Sequence, residues 1–113
     1  MLPEADIERL HHMRDAAIEG FSFLRGKSLE DLEVDKALQH VLQHCLLILG
    51  EAAARVSEPT QNSMPEIRWH ALRGMRNRLV HAYFAIDLET IWRTATDDLP
   101  VLIEHLSRKI SSL

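Results

Sequence analysis

One cysteine, one tyrosine, four glycines and four prolines are spread through 113 residues, and each scarcity closes off a class of protein. A single cysteine excludes an internal disulfide and any cysteine-rich metal motif. Cys45 also falls inside an apolar helical stripe, so a buried, reduced and inert thiol is expected there. So little glycine and proline excludes collagenous and low-complexity chains. No apolar run approaches the ~18 residues that a membrane-crossing helix needs, because the stretch Cys45–Leu49 stops at Gly50 and Glu51. The start, Met1-Leu2-Pro3-Glu4-Ala5-Asp6, lacks the basic residues and apolar segment of a secretory leader. The mature chain is therefore expected to begin near residue 1 and to work in the cytoplasm. There is no glycine-rich phosphate loop and no Ser/His/Asp arrangement, so the chain is not expected to bind ATP as an enzyme would.

The most informative absence is local. Between Ile67 and Ile86 there is no acid, only Arg68, Arg73, Arg76 and Arg78 with His70 and His81. The formal charge is -4 overall, so with these four arginines set aside the remainder carries about -8. An island of positive potential on an acidic chain attracts phosphate or another anion.

What is present points to helices. At 13.0 kDa, one domain spanning residues 1–113 is expected, able to bury roughly two thirds of the surface its unfolded form exposes. Ile7, Leu10, Arg14, Ala17, Phe21 and Leu24 recur at three- and four-residue steps and predict a first amphipathic helix that stops near Arg25-Gly26. Ser28 with Asp31 reads as a capping pair opening a second helix. Its stripe would run unbroken through Val34, Leu38, Val41, Leu42, Cys45, Ile48, Leu49, Ala52, Ala53 and Val56. Ser57–Met64 reads as a polar connection. Ser63, Pro65 and Glu66 predict a third helix from there to about Val80. Asp87 predicts the cap of a fourth, carried by Leu88, Ile91, Trp92, Ala95, Leu99, Leu102, Ile103, Leu106 and Ile110 and bent at Pro100. The expectation is an all-α, up-and-down bundle of four main helices, with room for a short extra one.

On the third helix Trp69, Leu72, Arg76, Leu79 and Val80 share one face, which sets a guanidinium in an apolar stripe. Its donors need a partner: a bound anion, backbone carbonyls, or a carboxylate such as Glu51 that would lock the bundle. His81 lies five residues on. In a continuous helix that is about 7.5 Å of rise and leaves the two side chains about 140° apart. Either the helix ends before His81 and the chain folds it back, or two copies of the chain each supply part of a shared site.

The run Arg76-Asn77-Arg78-Leu79-Val80-His81-Ala82-Tyr83 resembles the signature of the HepT toxins, small helical proteins of the wider HEPN superfamily, in which an arginine is followed after four to six residues by a histidine. The segment Ile48-Leu49-Gly50-Glu51-Ala52-Ala53 is similar to the family's Gly-Glu-Ala-Ala segment. Gly74–Asn77, Asp87-Leu88 and Asp98-Leu99-Pro100 resemble its third and fourth helices, and the proline that often precedes the signature helix stands here at Pro65. Nearly the whole chain is covered.

The resemblance implies a metal-independent endoribonuclease toxin of a type VII toxin–antitoxin pair, with no cofactor of its own. RNA (a tRNA or an mRNA) would supply its own 2′-hydroxyl nucleophile. Arg76 and His81 would be catalytic, Arg76 holding phosphate oxygens and His81 moving protons near neutral pH, with Asn77 and Tyr83 in support. It further implies a homodimer whose two signatures line one cleft. The implied antitoxin is a minimal nucleotidyltransferase that uses ATP to place AMP on Tyr83. Two other readings compete. One is a non-catalytic HEPN subunit that assembles with the nucleotidyltransferase. The other is a metal site on His40 and His44, which share one helix face but have no further ligand at suitable spacing, so a polar face is the expected reading and no metal is assigned.

Overall fold

The computed structural model describes residues 1–81 and 87–113, and every regular element among them is helical. In order they are α1 (Glu4–Ser22), α2 (Leu29–Val34), α3 (Lys36–Ala54), α4 (Glu58–Asn62), α5 (Trp69–His81), α6 (Leu88–Arg93), a π turn (Thr94–Asp98) and α7 (Leu99–Ser111). The all-α bundle expected from the periodicity is the fold observed.

Acidic Glu4 and Asp6 open α1 against the positive end of its dipole, and Gly26, at φ +73, supplies the left-handed residue that turns the chain after it. The Ser28–Asp31 box forms: Ser28 Oγ accepts from Asp31 N–H at 3.2 Å, and Asp31 Oδ2 accepts from Ser28 N–H at 2.8 Å. The helix it opens is only six residues long, however. Asp35 is extended and caps a new helix by accepting from Leu38 N–H at 3.1 Å, while Gln39 Nε2 donates to the Leu32 and Glu33 carbonyls at the end of α2. The predicted second helix is therefore two. The break resets the helical phase, and Val34, expected in the apolar stripe, is 82% exposed.

Two further departures have local causes. Residues 58–62 of the expected connection form α4, whose start carries Pro59 within its first turn, where a missing N–H is harmless. Ser63 does not open the third helix, because its Oγ donates to Thr60 O and its N–H to Pro59 O, so it closes α4 and α5 begins only at Trp69. At Pro100, where a bend is expected, the helical run from Leu88 to Ser111 carries a π turn: Leu99 N–H reaches back five residues to Thr94 O, and this wide turn leads into α7 with Pro100 in its first turn.

Antiparallel neighbours build the core. Gly20 faces Cys45 and Asp6 faces Ser57, so α1 and α3 run in opposite directions; α7 also packs on α1, and α5 packs on α3. Leu10 and Met13 of α1, Leu42, Leu46 and Leu49 of α3, and Leu99 and Leu106 of α7 are fully buried, each stabilising the bundle by about 1.5–3 kcal/mol. At one end the core is closed by a polar clasp. Asp6, 4% exposed, accepts hydrogen bonds from Ser57 N–H, Ser57 Oγ–H and Thr60 Oγ–H, tying α1 to the start of α4.

Burial alone would raise the Asp6 pKa, but the three donors outweigh it and hold the carboxyl below its ordinary 3.8. A depressed carboxyl stabilises the fold above its unfolded pKa and loses that contribution as pH falls through the folded one. Acid titration of stability should thus show a loss beginning below about pH 4 that is absent in Asp6→Asn, and Asp6→Ala should cost about 1–3 kcal/mol in urea unfolding at pH 7 because three donors, one of them on buried Thr60, lose their acceptor.

Candidate active site

The positive window folds as α5, and its position is fixed by two anchors. Trp69 is 7% exposed and its Nε1–H donates to Met64 O at 3.0 Å, while Leu79 is 8% exposed at the other end. Val80, expected beside them, is 39% exposed. Between the anchors α5 crosses α3 at Gly50. A Cβ built on Gly50 would lie 2.5 Å from Arg76 Cβ and 3.3 Å from Arg76 Cα, so only a residue without a side chain lets the two backbones approach this closely.

The crossing delivers Arg76 to the next residue of α3. Arg76 Nε–H donates to Glu51 Oε1 at 2.9 Å, and Arg76 Nη1–H donates to Asn77 Oδ1 at 3.0 Å. Of the two fates open to the guanidinium within one chain, pairing with Glu51 is therefore the one observed. The pair is about one third exposed on each side, so its contribution is about 1 kcal/mol at most. It occupies one edge of the guanidinium. Among the described residues Nη2 carries no hydrogen bond, and the forked edge is the part of an arginine that grips a phosphate.

His81 is the last residue of α5 and is exposed. The helix does not end before it, so of the two ways to join the signature residues, folding back within one chain is not what the backbone does. On unbroken α5 the Arg76 and His81 side chains remain about 140° apart. Tyr83 lies outside the described residues. Arg73 is engaged with Gln61 (3.0 Å), while Arg68, Arg78 and His70 are exposed. Beside α5, toward α7, lies an open groove of about 400 Å³ with Leu72, Met75 and Leu102 in its floor and Arg68, Arg78 and His105 at its rim.

His40 and His44 are exposed on α3, and among the described residues no three His, Cys, Asp or Glu side chains gather closely enough to hold a metal ion. Cys45 is buried; desolvation first and the charge of Glu19 second push its thiol up to about 11, so it stays protonated and unreactive at neutral pH. Gly50 is the functional residue whose role the sequence pattern did not single out. Its signal was an isolated glycine inside a strong helical stripe, which marks a close backbone approach.

The two glycines of this helix pair make the steric claim testable. Alanine raises intrinsic helix propensity by about 1 kcal/mol, and a Cβ at Gly74 would meet only Arg78 Nη1 at 3.7 Å. Gly74→Ala should therefore stabilise the chain by about 0.5–1 kcal/mol, whereas Gly50→Ala should destabilise it by about 1–3 kcal/mol through overpacking, as read by denaturant melts.

The HepT-like family, described as ribonuclease HepT-like, matches residues 7–108. A protein of Thermococcus cleftensis named "Probable ribonuclease HepT" is 36% identical over 80 residues, which is 71% of this chain and 73% of the relative. Two proteins of Methanocaldococcus jannaschii named as RNase candidates are 26% and 27% identical over 113 residues, in each case 99% of this chain and 93% and 97% of the relatives. No solved structure gives a significant match. With the match running through all the main helices, including the Gly50 crossing and the arginine–histidine helix, the chain belongs to the HepT-like ribonuclease family.

Proposed function

We propose that this member of a ribonuclease family is a metal-independent, cofactor-free endoribonuclease toxin of the cytoplasm, acting as a symmetric homodimer in which Arg76 and His81 of both chains line one cleft. The observation that carries the reading is the clamped guanidinium. Glu51 on Nε–H and Asn77 on Nη1–H fix Arg76 on a helix that packs mainly on α3, leaving Nη2, which has no partner among the described residues, for an anion. Because α5 continues through His81, a second chain is the simple way to bring an imidazole opposite that arginine, and a twofold axis does so twice.

In this reading one His81 imidazole takes the proton of the RNA 2′-hydroxyl. The 2′-oxygen forms a bond to phosphorus while the bond from phosphorus to the 5′-oxygen breaks, and the leaving oxygen is protonated by the other His81. Arg76 neutralises the charge that builds on the non-bridging oxygens, with Asn77 holding its plane. The products are a 2′,3′-cyclic phosphate and a 5′-hydroxyl. Regulation would come from a minimal nucleotidyltransferase partner: the Tyr83 phenol oxygen attacks the α-phosphorus of ATP, pyrophosphate leaves, and the attached AMP puts negative charge and bulk beside the phosphate site.

Purified chain should cleave RNA in EDTA, and His81→Ala should lower the rate by about 10²–10⁴. Arg76→Lys, which keeps the charge and loses the planar fork, should fall nearly as far as Arg76→Ala. Cleavage that depends on added Mg²⁺, or a His81→Ala rate equal to the parent, contradicts the mechanism. An inert chain that still assembles with the nucleotidyltransferase would instead be a non-catalytic binding subunit. After co-expression with that partner, mass spectrometry should find AMP on Tyr83 and Tyr83→Phe should remain active; an unmodified Tyr83 removes the regulatory step.

A further inference from the structure

A second cationic spot lies far along the sequence from the arginine-rich helix. Where α1 ends, Phe21 (41% exposed) and the half-buried Trp92 of α6 wall an open pocket of about 410 Å³, and Arg25 and Lys27 stand at its rim with the hydroxyls of Ser22 and Thr96. Its volume falls within the roughly 300–1,000 Å³ of small-ligand sites. No acid is among its lining residues, although the chain is acidic, and neither Arg25 nor Lys27 makes an ion pair among the described residues. Two aromatic faces beside two uncommitted cations form the combination that holds one unit of a single-stranded nucleic acid. The base stacks on the rings and the phosphates meet the cations.

The place in the fold suits this use. α1 and α5 both run antiparallel to α3: Asp6 meets Ser57 beyond the end of α3 while Gly20 faces Cys45, and Arg73 meets Gln61 beyond that end while Arg76 faces Gly50. The end of α1 that carries Phe21 and Arg25 is thus at the end of the bundle toward which α5 points His81. An RNA strand leaving the proposed scissile position would pass along this end.

We propose that the Phe21–Trp92–Arg25–Lys27 pocket is a nucleotide subsite, which grips one base and its flanking phosphates of single-stranded RNA away from the cleaved bond. This rests on the ribonuclease reading. It separates binding from cutting: the pocket sets affinity for RNA, while Arg76 and His81 set the chemistry.

The test uses the His81→Ala chain in EDTA, so that RNA stays whole, and a ten-nucleotide unstructured oligoribonucleotide. Trp69 is buried with its N–H engaged, so quenching of tryptophan emission reports Trp92. RNA should quench the emission, and Trp92→Phe should abolish the quenching. Arg25→Ala/Lys27→Ala should weaken binding about tenfold and lower the slope of log affinity against log salt by about 1.4, the share of two phosphate contacts. The control pair Arg108→Ala/Lys109→Ala, which removes the same charge elsewhere, should leave both unchanged. Parent-like affinity and slope in the Arg25/Lys27 variant, equal losses in the control pair, or emission indifferent to RNA each overturn the subsite. So does weakened nucleotidyltransferase binding with unchanged RNA binding, which would assign the surface to a protein. Cleavage of the same RNA by the chain with His81 intact is scored separately. Quenching without cleavage leaves the subsite and removes the nuclease; cleavage without a pocket effect does the reverse.

Discussion

The close crossing of α5 over Gly50 is the contact on which the placement of the charged groups depends. With Arg76 Cβ at 2.5 Å from where a Gly50 Cβ would sit, the two helices meet backbone to backbone. The Arg76 side chain must then run along α3, where the next residue, Glu51, receives it. A larger residue at position 50 would lift the helix and the guanidinium with it. A bundle of this size is stabilised chiefly by its leucine layers. The glycine contributes little to that sum, and it sets where the arginine stands.

Charge is distributed to match. The acids of the chain are kept out of residues 67–86, and the one carboxylate that reaches Arg76 approaches from α3 and takes only one edge of its fork. Such a clamp removes rotamer freedom from a long side chain before any ligand arrives, which is what a phosphate site gains from preorganisation. The pair with Glu51 is also compatible with the proposed anion contact, because it leaves Nη2 without a partner among the described residues. The unbroken α5 then imposes its own condition. An arginine and a histidine about 140° apart on one rigid helix serve one phosphate only if something outside that helix closes the gap.

Much of this was legible in the residues. The stripes of α1, α3 and α7 follow the 3.6-residue period closely enough that Leu10, Leu42, Leu49 and Leu106 are identifiable as core, and the Ser28–Asp31 cap forms as its spacing indicates. Boundaries were less legible, because one polar side chain can serve either of two helices. Asp35 lies inside the expected unbroken second helix and instead starts a new one, and Ser63 looks like a start and instead finishes α4. The π turn before Pro100 is a tertiary solution that no spacing encodes. At the site, the charged residue in an apolar stripe announced Arg76, and Glu51 was recognisable as a partner. What Gly50 does depends on the distance between two helices 26 residues apart in sequence, which a periodicity cannot contain.

A shared site has a consequence that a site within one chain does not. If the two signatures line one cleft, an equal mixture of Arg76→Ala and His81→Ala chains, unfolded together and refolded, forms heterodimers in half the molecules, and each keeps one Arg76 and one His81 in that cleft, which neither homodimer does. Ribonuclease activity in EDTA should then rise above that of either variant alone while staying below half of the wild-type value, because only half the molecules carry both groups and these have one imidazole of two. A mixture no more active than its two parents, with heterodimers demonstrated, contradicts the composite site.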